Sequence, residues 1–298
     1  MRTMRRLLAA LLTVVACGGD DSPVGDIDYQ VRHYDVRVDL QSSTIAVAAR
    51  LEVLTGGDCL SIPSRAAPSS ASWNDREPTA GNYADGVLSL CGEGVRADEP
   101  LTIEVSADLA EETWADTQVG YSITTDVEGA PFHYLVSWVG GCDRFGPCDP
   151  TPSRYATYRF EVEHSSDMRV LCPGTITQEQ GLTICEADFS APTYSAFGLA
   201  ASSSWTEVDL GSWDTADVTL FDMPSSATAE RIQGQVHSSF LSWMGDRFGP
   251  YPYGDELRLA VGPTKWRGFE HPGNIVLNDD LRNSSSPFAV EYEDVLTH

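Results

Sequence analysis

The sequence predicts a mainly β N-terminal domain, an antiparallel sandwich or saddle, followed by the start of an α+β domain. Three observations predict it. Up to about Ser204, apolar residues recur with a period of two in many short runs, divided by Gly, Pro, Asn, Asp and Ser clusters, the pattern of antiparallel strands. After Trp205 the pattern changes: a helical stretch follows, and then further short apolar runs. The composition, 42% hydrophobic and 21% charged over 298 residues, has room for two domains and excludes a disordered or collagen-like chain.

Taken in order, the chain opens on an address. Met1 to Arg6 carry three arginines, Leu7 to Ala16 are almost wholly apolar, and Cys17 follows, then Gly18, Gly19, Asp20 and Asp21. A basic stretch, an apolar run of ~10 residues and a small residue before a cleavage point mark a secretory signal peptide. The run is too short to cross a bilayer as a helix. Val14-Val15-Ala16-Cys17 resembles a bacterial lipoprotein lipobox. The resemblance implies that residues 1–16 are removed, that Cys17 is acylated, and that residues 17–28 tether the fold to a membrane in the cell envelope.

Nineteen basic and 44 acidic residues leave a net charge of −25. Losing residues 1–16, with their three arginines and no acid, makes it −28. Such a field repels a phosphate backbone and argues against nucleic-acid binding. Its plain use is a solvated, non-aggregating surface.

Seven cysteines are present. With Cys17 set aside for lipid, six remain, an even number that in an exported chain reads as disulfides, with 15 possible pairings. Local spacing favours Cys142 with Cys148 and Cys172 with Cys185, which leaves Cys59 with Cys91 by elimination. A cysteine-rich metal site is the weaker reading, because no Cys-x-x-Cys pair occurs.

Val36, Val38 and Leu40, then Ile45, Val47, Ala49, Leu51 and Val53, alternate with polar or small residues. Further strand-like runs are 59–62, 87–91, 101–107, 132–139, 155–163, 168–172, 182–187 and 194–201, within a β domain over 29–204. Residues 205–298 begin the second domain. Val218 to Phe221 reads as a strand. Met223-Pro224-Ser225-Ser226-Ala227 opens a predicted helix to about Asp246, whose Ile232, Val236, Phe240 and Met244 share one face, read as core packing. Leu257, Leu259 and Val261 form another strand, and Ile275 to Leu277 a further one. Ser286 and Pro287 start a last helix, N-cap then first position, with Val290, Asp294 and His298 on one face.

Three stretches together resemble the aminopeptidase N family of zinc metallopeptidases, of the gluzincin type. Phe145-Gly-Pro-Cys-Asp-Pro150, with Tyr155-Ala-Thr-Tyr-Arg-Phe160 and Met168-Arg-Val-Leu-Cys-Pro-Gly174, is similar to the family's Phe-Pro-Cys-x-Asp-x-Pro region and the strands after it. Phe248-Gly-Pro-Tyr-Pro-Tyr253 resembles the loop before the exopeptidase motif. Gly268-Phe-Glu-His-Pro-Gly-Asn274 resembles the Gly-x-Met-Glu-Asn motif itself. Arg267, Phe269 and His271 depart from it, in the places of Gly, Met and Asn; Glu270 is retained. No Gln occurs around Ser137-Trp138-Val139, where the family has a substrate-facing one.

The resemblance implies a thermolysin-like catalytic domain, zinc as cofactor, and a peptide with a free N-terminus as partner. Glu291-Tyr-Glu-Asp-Val-Leu-Thr-His298 is similar to the approach to the His-Glu-x-x-His helix, so that His298 falls on the first zinc ligand. Glu270 would pair with the substrate's α-ammonium, a charge-assisted contact that fixes register. Gly268 would let the substrate backbone lie close. His271 is read as structural, and His33, His133, His164 and His237 receive no role. The expectation is the N-terminal part of an exported zinc aminopeptidase, severed after His298 and inactive alone. Its rivals are a non-catalytic peptide- or protein-binding lipoprotein on the same fold, and an unrelated β-sandwich surface lipoprotein.

Overall fold

The structure, a computed structural model, describes residues 26–109, 120–137, 140–264, 267–279 and Leu296. The tether upstream of residue 26, Trp138, Val139 and the last predicted helix, except Leu296, lie outside the described residues. Those described form the following strands. The first are β1 (Asp28–Asp39), β2 (Thr44–Thr55), β3 (Gly57–Pro63), β4 (Pro68–Trp73), β5 (Ala80–Ala84), β6 (Val87–Val95) and β7 (Pro100–Asp108). Then come β8 (Gly120–Thr125), β9 (Pro131–Val136), β10 (Tyr155–Glu163), β11 (Arg169–Leu171), β12 (Thr175–Glu179), β13 (Leu182–Pro192) and β14 (Gly198–Ser202). The last are β15 (Thr206–Trp213), β16 (Ala216–Asp222), β17 (Glu256–Gly262), β18 (Gly268–His271) and β19 (Asn274–Asn278). A single turn, α1 (Thr193–Ala196), and one longer helix, α2 (Gly234–Phe248), accompany them.

The molecule is mostly β. A seven-stranded sheet runs β12-β13-β10-β1-β2-β7-β4, a four-stranded sheet β11-β14-β9-β8, and a small sheet β3-β6-β5. Alternation explains the buried faces. In β2, Ile45, Val47, Ala49, Leu51 and Val53 are buried, while Arg50 and Leu54 are exposed. In β1 an irregular register between Val31 and His33 shifts the inward set from Val31 to Tyr34, Val36 and Val38, as a bulge does. The expected antiparallel pairing has one exception here, since β1 lies parallel to β10. Tyr34, Tyr158 and Phe197 form the aromatic centre between the two larger sheets, with ring centroids 5.0–5.6 Å apart. Disulfides join Cys59–Cys91, Cys142–Cys148 and Cys172–Cys185.

The last five strands form a mixed sheet, β15-β16-β17-β19-β18, whose β16, β17 and β19 are parallel. It shares a core with the four-stranded sheet. Trp205 packs edge-on against Phe132 of β9 at 5.7 Å and Phe221 of β16 at 5.8 Å, and its indole N–H donates to Val261 O at 2.8 Å.

Two expectations need correction. Residues 194–201 are not one strand. Thr193 is pinned, its amide donating to Arg154 O at 3.0 Å and its hydroxyl to Asp149 O at 2.5 Å, and the chain turns through α1 before β14 begins. The helix expected from Ala227 starts instead at Gly234. Ala227 is left-handed (φ 51°), a conformation no helix continues through, and the Ser226 hydroxyl and Ala229 amide are spent on the Asp222 carboxylate. The expected stripe also faces the wrong way in part: Val236 is 42% exposed, and the side chain α2 buries is His237.

Candidate functional site

Glu270 lies in β18, the edge strand of the mixed sheet. The strand is held as a hairpin with β19, in which His271 faces Asn274 and Gly268 faces Leu277. Pro272 and Gly273 make the connection, and Gly273 has φ 78°, the Pro-then-Gly order that a type II turn demands. At the other end the Asn278 amide donates to Arg267 O at 2.8 Å, and its side chain donates to Thr264 O. Alternation then sorts the side chains. Phe269 and His271 are buried; Gly268 is half-buried and Glu270 exposed.

The buried pair ties β18 to the β domain. Phe269 lies against Tyr134 of β9, centroids 6.0 Å apart. His271 Nδ1 is 3.1 Å from Ser195 O in α1. A carbonyl only accepts, so Nδ1 carries the proton. Burial holds the His271 pKa down at about 4, against a smaller rise from the Ser195 contact, so the ring is neutral near pH 7. Its Nε2 is buried without a hydrogen-bond partner.

Beside β18 is a cavity of about 240 Å³. Glu270, His271 and Ser195 line one part, and Trp213, His237, Phe240, Tyr251 and Tyr253 line much of the rest, with Leu296 also in its wall. Helix α2 sits over Trp213 of β15, the Ser242 hydroxyl donating to the Asp214 carboxylate at 3.3 Å. His237 stacks on Trp213 with ring centroids 5.1 Å apart and an interplanar angle of 25°. Neither of its ring nitrogens has a partner, and burial lowers its pKa. Tyr251 and Tyr253 meet edge-on at 5.7 Å, Tyr253 also contacts Phe189 of β13, and burial pushes the Tyr251 hydroxyl pKa up. An acid beside an aromatic-walled cavity can anchor an ammonium group that carries an apolar substituent.

The structure therefore brings Glu270 and its hairpin to a cavity, with Gly268 two residues away in the same strand. His298 and Cys17 lie outside the described residues. Among the described residues, no three His, Cys, Asp or Glu side chains converge as a metal site, so the described part of the chain does not itself fit a zinc ion. His237, which receives no role from the sequence, and Trp213 enter this cavity only through the fold. A histidine placed four residues before Leu241 on a helix was the available signal, but it was outranked by the more apolar Val236 stripe.

No protein-family model and no curated protein sequence matches this chain. Solved structures do match. A variant of the M1 zinc metallopeptidase from Deinococcus radiodurans aligns with TM-score 0.65 at 18% identity, over 84% of this chain and 60% of that one. The fold is that of the M1 zinc metallopeptidases. The same Deinococcus radiodurans peptidase bound to a Tyr-Ser-Ala substrate aligns with TM-score 0.65 at 17% identity, over 87% of this chain and 62% of that one. A two-domain M1 zinc metallopeptidase bound to L-arginine aligns with TM-score 0.70 at 17% identity, over 91% and 64%. The chain spans less than two thirds of the length of each. The M1 fold accounts for the β-rich part and for the mixed sheet that carries the hairpin.

Proposed function

We propose that the chain is the N-terminal part of an exported, zinc-dependent aminopeptidase, and that Glu270 anchors the free α-ammonium of its peptide substrate. The observation that carries this is Glu270 itself, an exposed carboxylate on an edge strand, lining an aromatic cavity in an M1 fold. An edge strand leaves one side of its backbone without a strand partner, and an extended peptide can add there. A carboxylate at that edge then fixes where the peptide begins, through charge-assisted hydrogen bonds. Gly268, without a side chain, leaves room for the peptide backbone. A zinc ion would supply a polarised water for hydrolysis; His298 would be one ligand, and the described residues add no other. Export and a lipid anchor at Cys17 rest on the pattern of residues 1–17. The Tyr-Ser-Ala substrate held by the Deinococcus radiodurans peptidase supports a peptide as the ligand class.

The test is calorimetric titration of the chain with L-leucinamide and N-acetyl-L-leucinamide. Charge-assisted hydrogen bonds are worth ~1.5–3 kcal/mol, so acetylation should weaken binding by about ten- to a hundredfold, and Glu270→Gln should weaken leucinamide to the same extent. Equal binding of both amides would remove Glu270 from this role. The rival reading, a peptide-binding lipoprotein without chemistry, draws on His271, which stands in the motif's Asn place and packs against Ser195. Zinc bound to the full-length product at less than one equivalent would favour it.

A further inference from the structure

We infer that Thr193 and His271 are positioning residues for Glu270: one chain of contacts, from the centre of the β domain through the α1 turn, sets where the anchor strand lies. The inference rests on the amine-anchoring role of Glu270 and names what holds that carboxylate in place. The strand partner of β18 is β19, in its own sheet, so side chains join β18 to the β domain. The buried ones are Phe269 and His271. Phe269 meets Tyr134 through apolar contact, which has no preferred direction. His271 supplies the directional link, its Nδ1–H donating to Ser195 O at 3.1 Å.

Ser195 is a fixed point, because the single turn that carries it is pinned at both ends. At one end Thr193, fully buried, gives its hydroxyl to Asp149 O at 2.5 Å and its amide to Arg154 O at 3.0 Å. The Asp149 amide in turn donates to the Tyr34 hydroxyl at 3.3 Å, at the aromatic centre. At the other end the Phe197 ring packs edge-on against Tyr34 and Tyr158, and the Phe197 carbonyl accepts the Ser137 amide at 3.0 Å. Gly198 closes the imidazole in from the side, since a Cβ there would lie 2.2 Å from the ring. Packing thus fixes the ring, and the two pins fix the carbonyl it answers. A binding group has to be held within ~0.5 Å of its working geometry by partners that are themselves locked. These contacts supply that lock to Glu270 from a domain it does not belong to.

Titrating the full chain and four variants with L-leucinamide and N-acetyl-L-leucinamide tests this. The readout is the preference for the free amine, which a general loss of stability does not change in protein that remains folded. His271→Leu, which removes the donor, should lower that preference about tenfold, a 1.4 kcal/mol difference. Thr193→Val, which replaces only the hydroxyl, should lower it in the same direction. His271→Asn, which keeps an N–H close to the place of Nδ1, and Thr193→Ser, which keeps the hydroxyl, should preserve it. The backbone amide resonances of 268–271 should move in Thr193→Val and return in Thr193→Ser, with those of β2 unmoved, a readout that needs no ligand. In the unmodified protein the His271 Nδ1–H should exchange with water far more slowly than a free imidazole does, a readout that needs no variant. A preference kept in both His271→Leu and Thr193→Val, unmoved 268–271 resonances, or a freely exchanging Nδ1–H would overturn the positioning and leave the anchor standing. Equal binding of both amides by the unmodified protein, or binding of neither, with the resonances moving in Thr193→Val, would overturn the anchor and leave the placement of the strand through Thr193.

Discussion

Gly198 and His271 are interlocked across the junction of the two sheets: a Cβ on Gly198 would lie 2.2 Å from three carbons of the imidazole ring. Gly198 begins β14 and His271 ends β18, so this contact joins the β domain to the strand that carries Glu270. The ring cannot yield without losing its hydrogen bond to Ser195. Gly198→Ala should therefore destabilise the protein by ~1–3 kcal/mol, the cost of overpacking, read from denaturant midpoints at unchanged slope. His271→Ala should absorb much of that loss in the double variant, because the two residues touch. Additive single effects would show that the ring moves freely.

The neutral, buried state of His271 sets a pH dependence. Its pKa is about 4 in the fold against 6.5 for a free histidine. Between these values the unfolded chain takes a proton that the folded chain refuses, so stability falls as the pH drops from 6.5 towards 4 and this loss is complete below about 4. At ~1.4 kcal/mol per pH unit the window is worth roughly 3 kcal/mol. His237, also lowered by burial, adds in the same direction. Urea unfolding at pH 7 and pH 4.5 should show a smaller loss in His271→Asn than in the parent; parallel losses would assign the effect to carboxylates.

Trp205 should hold the two halves together. Its indole touches β9 and β16 and donates to β17. Trp205→Phe removes the indole hydrogen bond to Val261 O and should cost ~1 kcal/mol. Phe132→Ala removes a fully buried ring and should cost ~3–5 kcal/mol. Near-ultraviolet circular dichroism of Phe132→Ala should lose signal from Trp205, whose environment it shares.

The Cys59–Cys91 disulfide pairs directly opposed residues of β3 and β6, 32 apart in sequence. A cross-link of that span restricts the unfolded chain by ~3–4 kcal/mol on the chain-entropy account. Cys59→Ser with Cys91→Ser should lower stability by about that much. Exchange of the β5 and β6 amides should rise first, since β5 is exposed along its whole length.

Much of the β domain could be read before any coordinates. A half-buried strand announces itself within a few residues, because side chains alternate between core and water. That is why Ile45 to Val53 and Leu101 to Ala107 fall where their periodicity puts them. Two strands without a periodic run lack that contrast. In Ala80–Ala84 every residue is exposed, and Pro68–Trp73 is largely serine and alanine. Their strand state comes from backbone pairing with β6 and β7, which leaves no mark on the side chains.

The strand at Ile275 to Leu277 was legible from its apolar run, and Glu270 from the motif around it. That Gly268–His271 pairs with that strand as a hairpin was not, and neither was the cavity. By itself the sequence determined the alternating strands, the cysteines close enough to pair and the motif that holds Glu270, each a property of neighbouring residues. Only the tertiary structure decided that β1 runs beside β10, that His237 rather than Val236 turns inward, and that Gly198 meets His271. Those outcomes depend on which surfaces, distant along the chain, exclude water from one another.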